Sequence, residues 1–136
     1  MATVNEITTQ AFVGILKVHD RLLADVTRFL EPHGLTEPQY NVLRILRGAE
    51  PEGLPCHAIA ERMITRVPDI TRLVDRLENA GLAFRARGVQ DRRVVQVAVT
   101  RKALRLLDRL DKPMQELHST QFAVLKASER RTLARI

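Results

Sequence analysis

Arginine is the residue type whose number and placement in this sequence could do chemistry. The stretch from Arg62 to Arg105 holds eleven basic residues, ten of them arginine, against four acidic ones, which gives it a net charge of +7. The rest of the chain has a net charge of −1. Because a planar guanidinium donates paired hydrogen bonds to phosphates and to guanine edges, this stretch predicts an anionic partner. A solvated basic surface is the alternative that charge alone leaves open.

Catalytic and metal-binding patterns are missing from the sequence. The four histidines are scattered without the spacing of zinc ligands. No glycine-rich phosphate loop, nucleophile elbow or pair of carboxylates suggests a reaction. We therefore expect no enzyme activity, no cofactor and no metal site. We expect the single cysteine, Cys56, to be a small residue without redox chemistry; the alternative is a thiol-based redox sensor.

Length and composition predict one globular domain. The chain has 136 residues, of which 45% are hydrophobic and 28% charged, enough to bury a core. No apolar run reaches the roughly 18 residues that span a bilayer, and the first ten residues lack the layout of a signal peptide. One cysteine excludes an internal disulfide and fits a reducing compartment. We expect a cytoplasmic protein without membrane contact.

The most informative arginines lie on a helix predicted from Pro68 to about Ala80 and ended by Gly81. The apolar residues of this helix are spaced as one buried stripe, and the opposite face is polar. The buried stripe would comprise Ile70, Leu73, Val74 and Leu77, and the exposed face Pro68, Arg72, Asp75, Arg76 and Asn79, with Thr71 on its flank.

A second, short helix is predicted from Cys56 to about Met63, just before this one. Two such helices form a helix-turn-helix, whose second helix enters the major groove of DNA. Thr71 and Arg72 are then candidates for base contacts, and Arg76 for a phosphate or a groove-edge base. Local ion pairs on a solvated helix are the alternative. Ile64 departs from the motif, because many such turns have glycine there.

A hairpin with a charged tip is predicted next, from strands Ala83 to Arg87 and Val94 to Val99 joined by the loop 88–92. Arginine at a narrow tip suits the negative potential of the minor groove. The candidate residues are Arg85 and Arg87 on the first strand, Arg92 and Arg93 after the tip, and Asp91, which we expect to hold the Arg93 guanidinium by an ion pair. A charged edge hairpin is the alternative, but the joint pattern favours nucleic acid.

Helices must position these elements. Apolar residues recur every three or four positions from Asn5 to about Pro32, and a second apolar set beside them suggests a dimer seam. The remaining predictions are a helix from a Thr36 cap to Arg47, a turn-rich connector over 48–55, a helix that Thr100 caps and Pro113 kinks or interrupts, and a short last helix capped by Ser128.

Four stretches resemble the multiple-antibiotic-resistance-regulator (MarR) family: LTEPQYNVLRIL, IAERM, DITRLVDRLENAGLAFRAR and DRRVVQVAVT. The Asp-x-Arg wing motif, Asp91 to Arg93, is the most specific element. The resemblance is strong over about Leu35 to Leu107 and extends to the flanking helices by layout. It implies a mainly α winged helix-turn-helix with a small β-hairpin wing and long terminal dimerisation helices. In this single domain, 1–136, residues 35–100 would form the DNA-binding lobe, and residues 1–34 and 101–136 the dimerisation helices.

The resemblance also implies a function: a homodimeric transcriptional regulator, by default a repressor, on a pseudo-palindromic double-stranded DNA operator. A small aromatic-acid effector could release it, although no residue can be nominated for such a site. The resemblance carries DNA-contact roles to Thr71, Arg72, Arg85, Asp91 and Arg93. With the candidates chosen from charge and position, the full predicted set is Pro68, Thr71, Arg72, Arg76, Arg85, Arg87, Asp91, Arg92 and Arg93.

Two departures and one further alternative accompany this interpretation. Ala103 replaces a glycine that the family often has after the wing, and the closing helix ends at Ile136, shorter than usual, which leaves the extent of the dimer seam open. The alternative function is a winged-helix module whose basic face binds an acidic protein.

Overall fold

The computed structural model describes Met1 and residues 3–136. Within them the elements are, in chain order, α1 (Val4–Leu30), a short 3-10 helix (Glu31–His33), α2 (Glu37–Arg47), α3 (Cys56–Arg62), α4 (Ile70–Asn79), β1 (Ala83–Arg87), β2 (Val95–Val99), α5 (Arg101–Gln121) and α6 (Ala127–Leu133). The predicted mainly helical fold with one hairpin is confirmed. The chain divides into two compact units, Met1–Glu37 and Pro38–Ile136.

In the first unit, α1 starts with a reciprocal cap. The Thr3 hydroxyl accepts a hydrogen bond from the Glu6 N–H, and the Glu6 carboxylate accepts one from the Thr3 N–H at 2.6 Å. Such a capping box satisfies two backbone donors that a helix start otherwise leaves unpaired. The unit turns at Gly34, which has φ +69° and donates its N–H to the Glu31 carbonyl.

One side of α1 is apolar and exposed. The residues concerned are each more than half accessible to solvent: Ile7, Phe12, Ile15, Leu16 and Val18. At about 100° per residue they cover one side of the helix. A protein rarely leaves this much contiguous apolar surface uncovered unless a partner binds there.

In the second unit, the core is built from the apolar faces of α2 to α5 and from β2. Its fully buried side chains include Val42, Leu43, Leu46, Ile59, Val74, Leu77, Val97, Leu107 and Leu110. The predicted stripe of α4 is buried at Leu73, Val74 and Leu77, with Ile70 half-buried. Each such side chain contributes about 1.5–3 kcal/mol relative to exposure, so the core fixes which face of α4 remains in solvent.

The hairpin is antiparallel, with Ala83 opposite Val99 and Arg87 opposite Val95. On its other edge β2 also pairs with the connector, because Leu54 and Val97 exchange two backbone hydrogen bonds of 2.9 and 2.8 Å. Gly53 approaches this pairing closely. Its φ is +74°, and a Cβ added to it would lie 2.3 Å from the Val97 carbonyl oxygen. The predicted connector therefore takes part in the sheet.

Three predicted helix features are wrong. Pro68 does not open α4, which begins at Ile70 because the Asp69 carboxylate accepts a hydrogen bond from the Arg72 N–H and caps the helix. Ser128 lies inside α6, whose cap is Lys126; the Lys126 N–H donates to the Glu129 carboxylate at 2.7 Å.

The third is the interruption at Pro113, which was predicted as the alternative to a kink, because α5 contains Pro113 and continues to Gln121. A proline costs its own N–H hydrogen bond and crowds the preceding turn. Here the ring is exposed, while Leu107, Leu110 and Met114 on the same helix are buried. This burial on either side of the proline outweighs its local cost.

An ion pair between Arg47 and Asp111 joins the end of α2 to the middle of α5. The Arg47 guanidinium donates two hydrogen bonds to the Asp111 carboxylate, at 2.8 and 2.9 Å, and lies 3.6 Å from Asp108. These bonds from Arg47 hold the pKa of Asp111 below its usual value. A depressed folded-state pKa means that the pair stabilises the fold above the unfolded pKa and ceases to do so as the pH falls through the folded pKa.

We therefore expect Asp111→Asn to lower the free energy of unfolding by about 1 kcal/mol at pH 7. The difference from the natural protein should shrink at acidic pH, as the pH falls through the lowered pKa of Asp111 and the carboxylate becomes protonated. Urea unfolding at pH 7 and at acidic pH measures it. Asp20→Asn is the matched control, because Asp20 is exposed and forms no ion pair with any residue that the structure describes. If both variants lose the same free energy of unfolding, the ion pair between Arg47 and Asp111 does not stabilise the fold.

Candidate nucleic-acid interface

The turn between α3 and α4 is held by a residue of α2. The side chain of Asn41 is buried, and its Oδ1 accepts a hydrogen bond from the Ile64 N–H at 2.9 Å. No non-glycine residue among those described has a positive φ. The turn therefore needs no glycine at position 64, which accounts for the departure noted in the sequence.

The exposed face of α4 presents free cations. Thr71, Arg72 and Arg76 are exposed, and Pro68 is exposed just before the helix. The alternative was that Arg72 forms local ion pairs on α4. In the structure the Asp69 carboxylate instead accepts a hydrogen bond from the backbone N–H of Arg72. Neither Arg72 nor Arg76 forms an ion pair within the described part of the chain. Their guanidinium groups are available to a ligand.

The carboxyl end of α4 is anchored to the start of α5. The Lys102 ammonium donates to the Ala80 carbonyl at 2.9 Å, and the Thr100 hydroxyl donates to the Gly81 carbonyl at 2.7 Å. Thr100 also caps α5 by accepting from the Ala103 N–H at 3.1 Å, as predicted. Lys102, counted among the basic residues of the central stretch, thus serves the helix end, where a cation is favoured.

The wing loop, residues 88–94 between β1 and β2, presents a second group of cations together with Arg87 at the end of β1. Arg87, Arg92 and Arg93 are exposed, and Arg87 donates to the Arg92 carbonyl at 3.3 Å. The expected ion pair between Asp91 and the Arg93 guanidinium is wrong. The Asp91 carboxylate accepts from the Arg93 backbone N–H at 2.9 Å, because an aspartate readily bonds the backbone two residues on. Asp91 therefore shapes the loop and leaves the Arg93 side chain unpaired.

Arg85 differs from the other predicted arginines. Its Nη2 donates to Asp75 at 2.7 Å and to the Thr71 carbonyl at 3.4 Å, and its Nη1 donates to Glu78. Burial opposes the charged form, but the bonds to Asp75 and Glu78 and their negative charges outweigh it and raise the pKa of Arg85. With its side chain 24% exposed, Arg85 is engaged within the protein.

The site therefore consists of one exposed helix face and one basic loop, with Arg85 between them. Sequence reasoning missed two residues that shape it, Asn41 and Lys102. A polar residue inside the buried run of α2 was the signal that could have found Asn41. Lys102 is the one lysine among the basic residues of the central stretch, but neither its type nor its position indicates the Ala80 carbonyl as its partner.

Met1 and residues 3–136 contain neither a metal-binding cluster nor a membrane-spanning helix. No three His, Cys, Asp or Glu side chains of these residues are grouped to hold a metal ion. None of their helices has the length and hydropathy needed to cross a membrane. Cys56 is half-buried at the start of α3, without a disulfide partner.

Comparison with known proteins gives one consistent family. The sequence model of the MarR family matches residues 35–95. The crystal structure of a MarR transcription factor from Planctomyces limnophilus is 38% identical, with a TM-score of 0.75, and the match covers 99% of this chain and 96% of that one.

Two more distant relatives add functional context. The homoprotocatechuate degradative operon repressor of Escherichia coli is 26% identical over 106 residues, which cover 78% of this chain and 70% of that protein. CouR from Rhodococcus jostii RHA1, solved bound to p-coumaroyl-CoA, is 29% identical, with a TM-score of 0.77 over 90% of this chain and 87% of that one.

Proposed function

The chain belongs to the MarR family, and from this premise we propose that it is a sequence-specific, double-stranded DNA-binding transcriptional regulator that acts as a repressor. The observation that carries the proposal is that Arg72 and Arg76, on the exposed face of α4, have guanidinium groups without an ion pair among the described residues. The name of the Escherichia coli relative, an operon repressor, supports the direction of regulation.

The proposed contacts divide by groove. The amino-terminal half of α4 would enter the major groove, with Thr71 and Arg72 on base edges, Pro68 against the groove wall and Arg76 on a phosphate. The wing would enter the adjoining minor groove, where negative potential attracts guanidinium groups. Its contact residues would be Arg87, Arg92 and Arg93, on a loop whose shape Asp91 maintains.

We also propose that the active form is a homodimer, with residues 1–34 and 101–136 as the dimerisation helices and 35–100 as the DNA-binding lobe. The exposed apolar side of α1 supports this, as do three exposed apolar residues near the end of the chain: Val124, Leu133 and Ile136. A two-fold dimer would place its two α4 helices in successive major grooves about 34 Å apart and thus favour a pseudo-palindromic site.

A small aromatic-acid effector is the proposed signal. CouR, one of the structural neighbours, was solved with p-coumaroyl-CoA. An effector of this kind would act by binding preferentially to dimers whose lobe spacing does not fit the operator, and so would shift the population away from the DNA-bound form.

Selection of bound fragments from genomic DNA tests the function directly. We expect recovery of one symmetric sequence, bound tightly by the purified protein, with affinity that falls steeply as salt rises. A protein that binds no duplex even in dilute buffer would contradict the proposal. That outcome would favour an acidic protein as the partner of the basic face.

The different roles that we propose for Arg72 in the major groove and Arg87 in the wing lead to a separate prediction. We expect Arg72→Ala to lower discrimination at one base-pair position by about 1–3 kcal/mol, because a base contact is lost. Arg87→Ala should instead weaken binding to all sequences and reduce the salt slope by about one. Titration of the selected duplex and of single-site variants, at several salt concentrations, measures both effects. If both variants lose the same affinity on every sequence, the division of roles is wrong.

A further inference from the structure

We infer that Arg85 is a positioning residue, which locks the wing to the recognition helix α4 and does not itself contact DNA. The inference concerns the DNA-binding site proposed above and rests on that function. It changes the role that the sequence suggested for Arg85 and assigns a role to the two carboxylates, Asp75 and Glu78, that the proposed DNA contacts leave unused.

The geometry spans two turns of α4. Arg85 lies in the middle of β1, and its acceptors are the Thr71 carbonyl and the carboxylates of Asp75 and Glu78. Thr71, Asp75 and Glu78 are four and three residues apart, the spacing of a single helix face. The backbone N–H of Arg85 also points to Glu78, at 3.4 Å. The guanidinium fork therefore connects the strand to the helix at several points.

The surroundings favour an arginine that stays in place. Its cross-strand partner is Val97, which is fully buried, and the Arg85 side chain itself is only 24% exposed. Reaching a phosphate would require the guanidinium to leave two carboxylates, each of which would then face the DNA unneutralised. Like charges near a phosphate backbone oppose binding, so the free energy favours Arg85 remaining on α4.

The consequence is a fixed relation between two DNA-reading elements. Thr71 and Arg72 would read bases from α4, while Arg92 and Arg93 would follow the minor groove from the wing loop. A wing that is already ordered binds without the entropic cost of ordering it on the DNA. Breaking the Arg85 contacts should therefore loosen the wing and weaken binding without removing a phosphate contact.

The test compares four variants: Arg85→Ala, Arg85→Lys, Glu78→Gln and, as control, Arg87→Ala. Arg85→Lys keeps the positive charge but lacks the fork that reaches separate acceptors. Arg87 lies two residues further along the same face of β1 and is exposed, without an ion pair among the described residues. Its loss removes a cation and one hydrogen bond to the Arg92 carbonyl, but no contact with α4, so it is a control for the link between the wing and α4.

Amide exchange of residues 86–96 in the free protein is the first readout. We expect faster exchange across this segment in both Arg85 variants and in Glu78→Gln, and in Arg87→Ala only a change confined to the loop around Arg92, whose carbonyl accepts from Arg87. The second readout is binding to the selected duplex. The Arg85 variants and Glu78→Gln should bind about tenfold more weakly with the natural salt slope, whereas Arg87→Ala should reduce the slope by about one.

Several outcomes would overturn the inference. Arg85→Lys binding as tightly as the natural protein, or Arg85→Ala reducing the salt slope with no change in amide exchange, would show a direct phosphate contact. An increase of affinity in Glu78→Gln would show that this carboxylate competes with DNA for Arg85. If the natural protein selects no duplex, the proposed function fails, while the exchange measurement still decides whether Arg85 orders the wing.

Discussion

Gly53→Ala is expected to lower the free energy of unfolding by about 3 kcal/mol, through two effects that add. A left-handed backbone conformation costs an alanine about 1–2 kcal/mol, and Gly53 has φ +74°. The new Cβ would also lie 2.3 Å from the Val97 carbonyl oxygen. That oxygen accepts the Leu54 N–H, so relieving the clash would separate the connector from β2 and add an overpacking cost of about 1–3 kcal/mol.

Gly34→Ala is the matched control for this measurement. Gly34 has a nearly equal φ of +69°, but nothing lies within 4 Å of an added Cβ. Its replacement should therefore cost only the conformational term, about 1–2 kcal/mol. Urea unfolding followed by circular dichroism compares the two variants. A loss at Gly53 no greater than that at Gly34 would show that the close approach to β2 contributes nothing.

Ile15→Glu is expected to convert the proposed dimer into a monomer and to lower affinity for the selected operator by about 100-fold or more. Ile15 is 68% exposed and lies near the centre of the apolar side of α1. A carboxylate there would be buried without a partner in a dimer, at a cost of several kcal/mol. Operator affinity would fall because a monomer engages one half-site and loses the gain of two linked contacts.

Sedimentation velocity gives the oligomeric state of this variant, and titration of the selected duplex gives its affinity. Gln10→Glu adds the same charge at an exposed position about 140° around α1 from Ile15. It should remain dimeric and bind with natural affinity. An Ile15→Glu protein that is still a dimer and binds the operator normally would exclude the apolar side of α1 as the interface.

Periodic features of this protein could be predicted from the sequence. The buried stripe of α4 and the paired strands of the wing follow from repeats of about 3.6 and 2 residues, and both are present. The start of α4 lies two residues later than predicted, at Ile70 instead of Pro68, because the Asp69 carboxylate satisfies a backbone donor at the helix start, which proline cannot do. The family resemblance added the expected order of elements.

Side-chain partners across the fold could not be predicted in the same way. Arg85 finds its acceptors ten residues earlier at Asp75 and fourteen earlier at Thr71, and Asn41 meets Ile64 at a separation of 23 residues. Such pairs depend on how elements pack, which the repeat pattern of a single element does not encode. The same limit applies to Asp91, whose choice between a neighbouring N–H and a guanidinium depends on the loop conformation.

The hydrogen bond between Asn41 and the Ile64 N–H has an evolutionary consequence. Because Asn41 holds the bend before α4 through the backbone N–H of Ile64, position 64 requires only a residue other than proline, and Ile64 is 80% exposed. Position 41, in contrast, must keep an amide or carboxylate oxygen inside the protein. Substitutions at position 64 can therefore change the side chain just before α4, the helix that we propose reads DNA, while the fold itself stays constant.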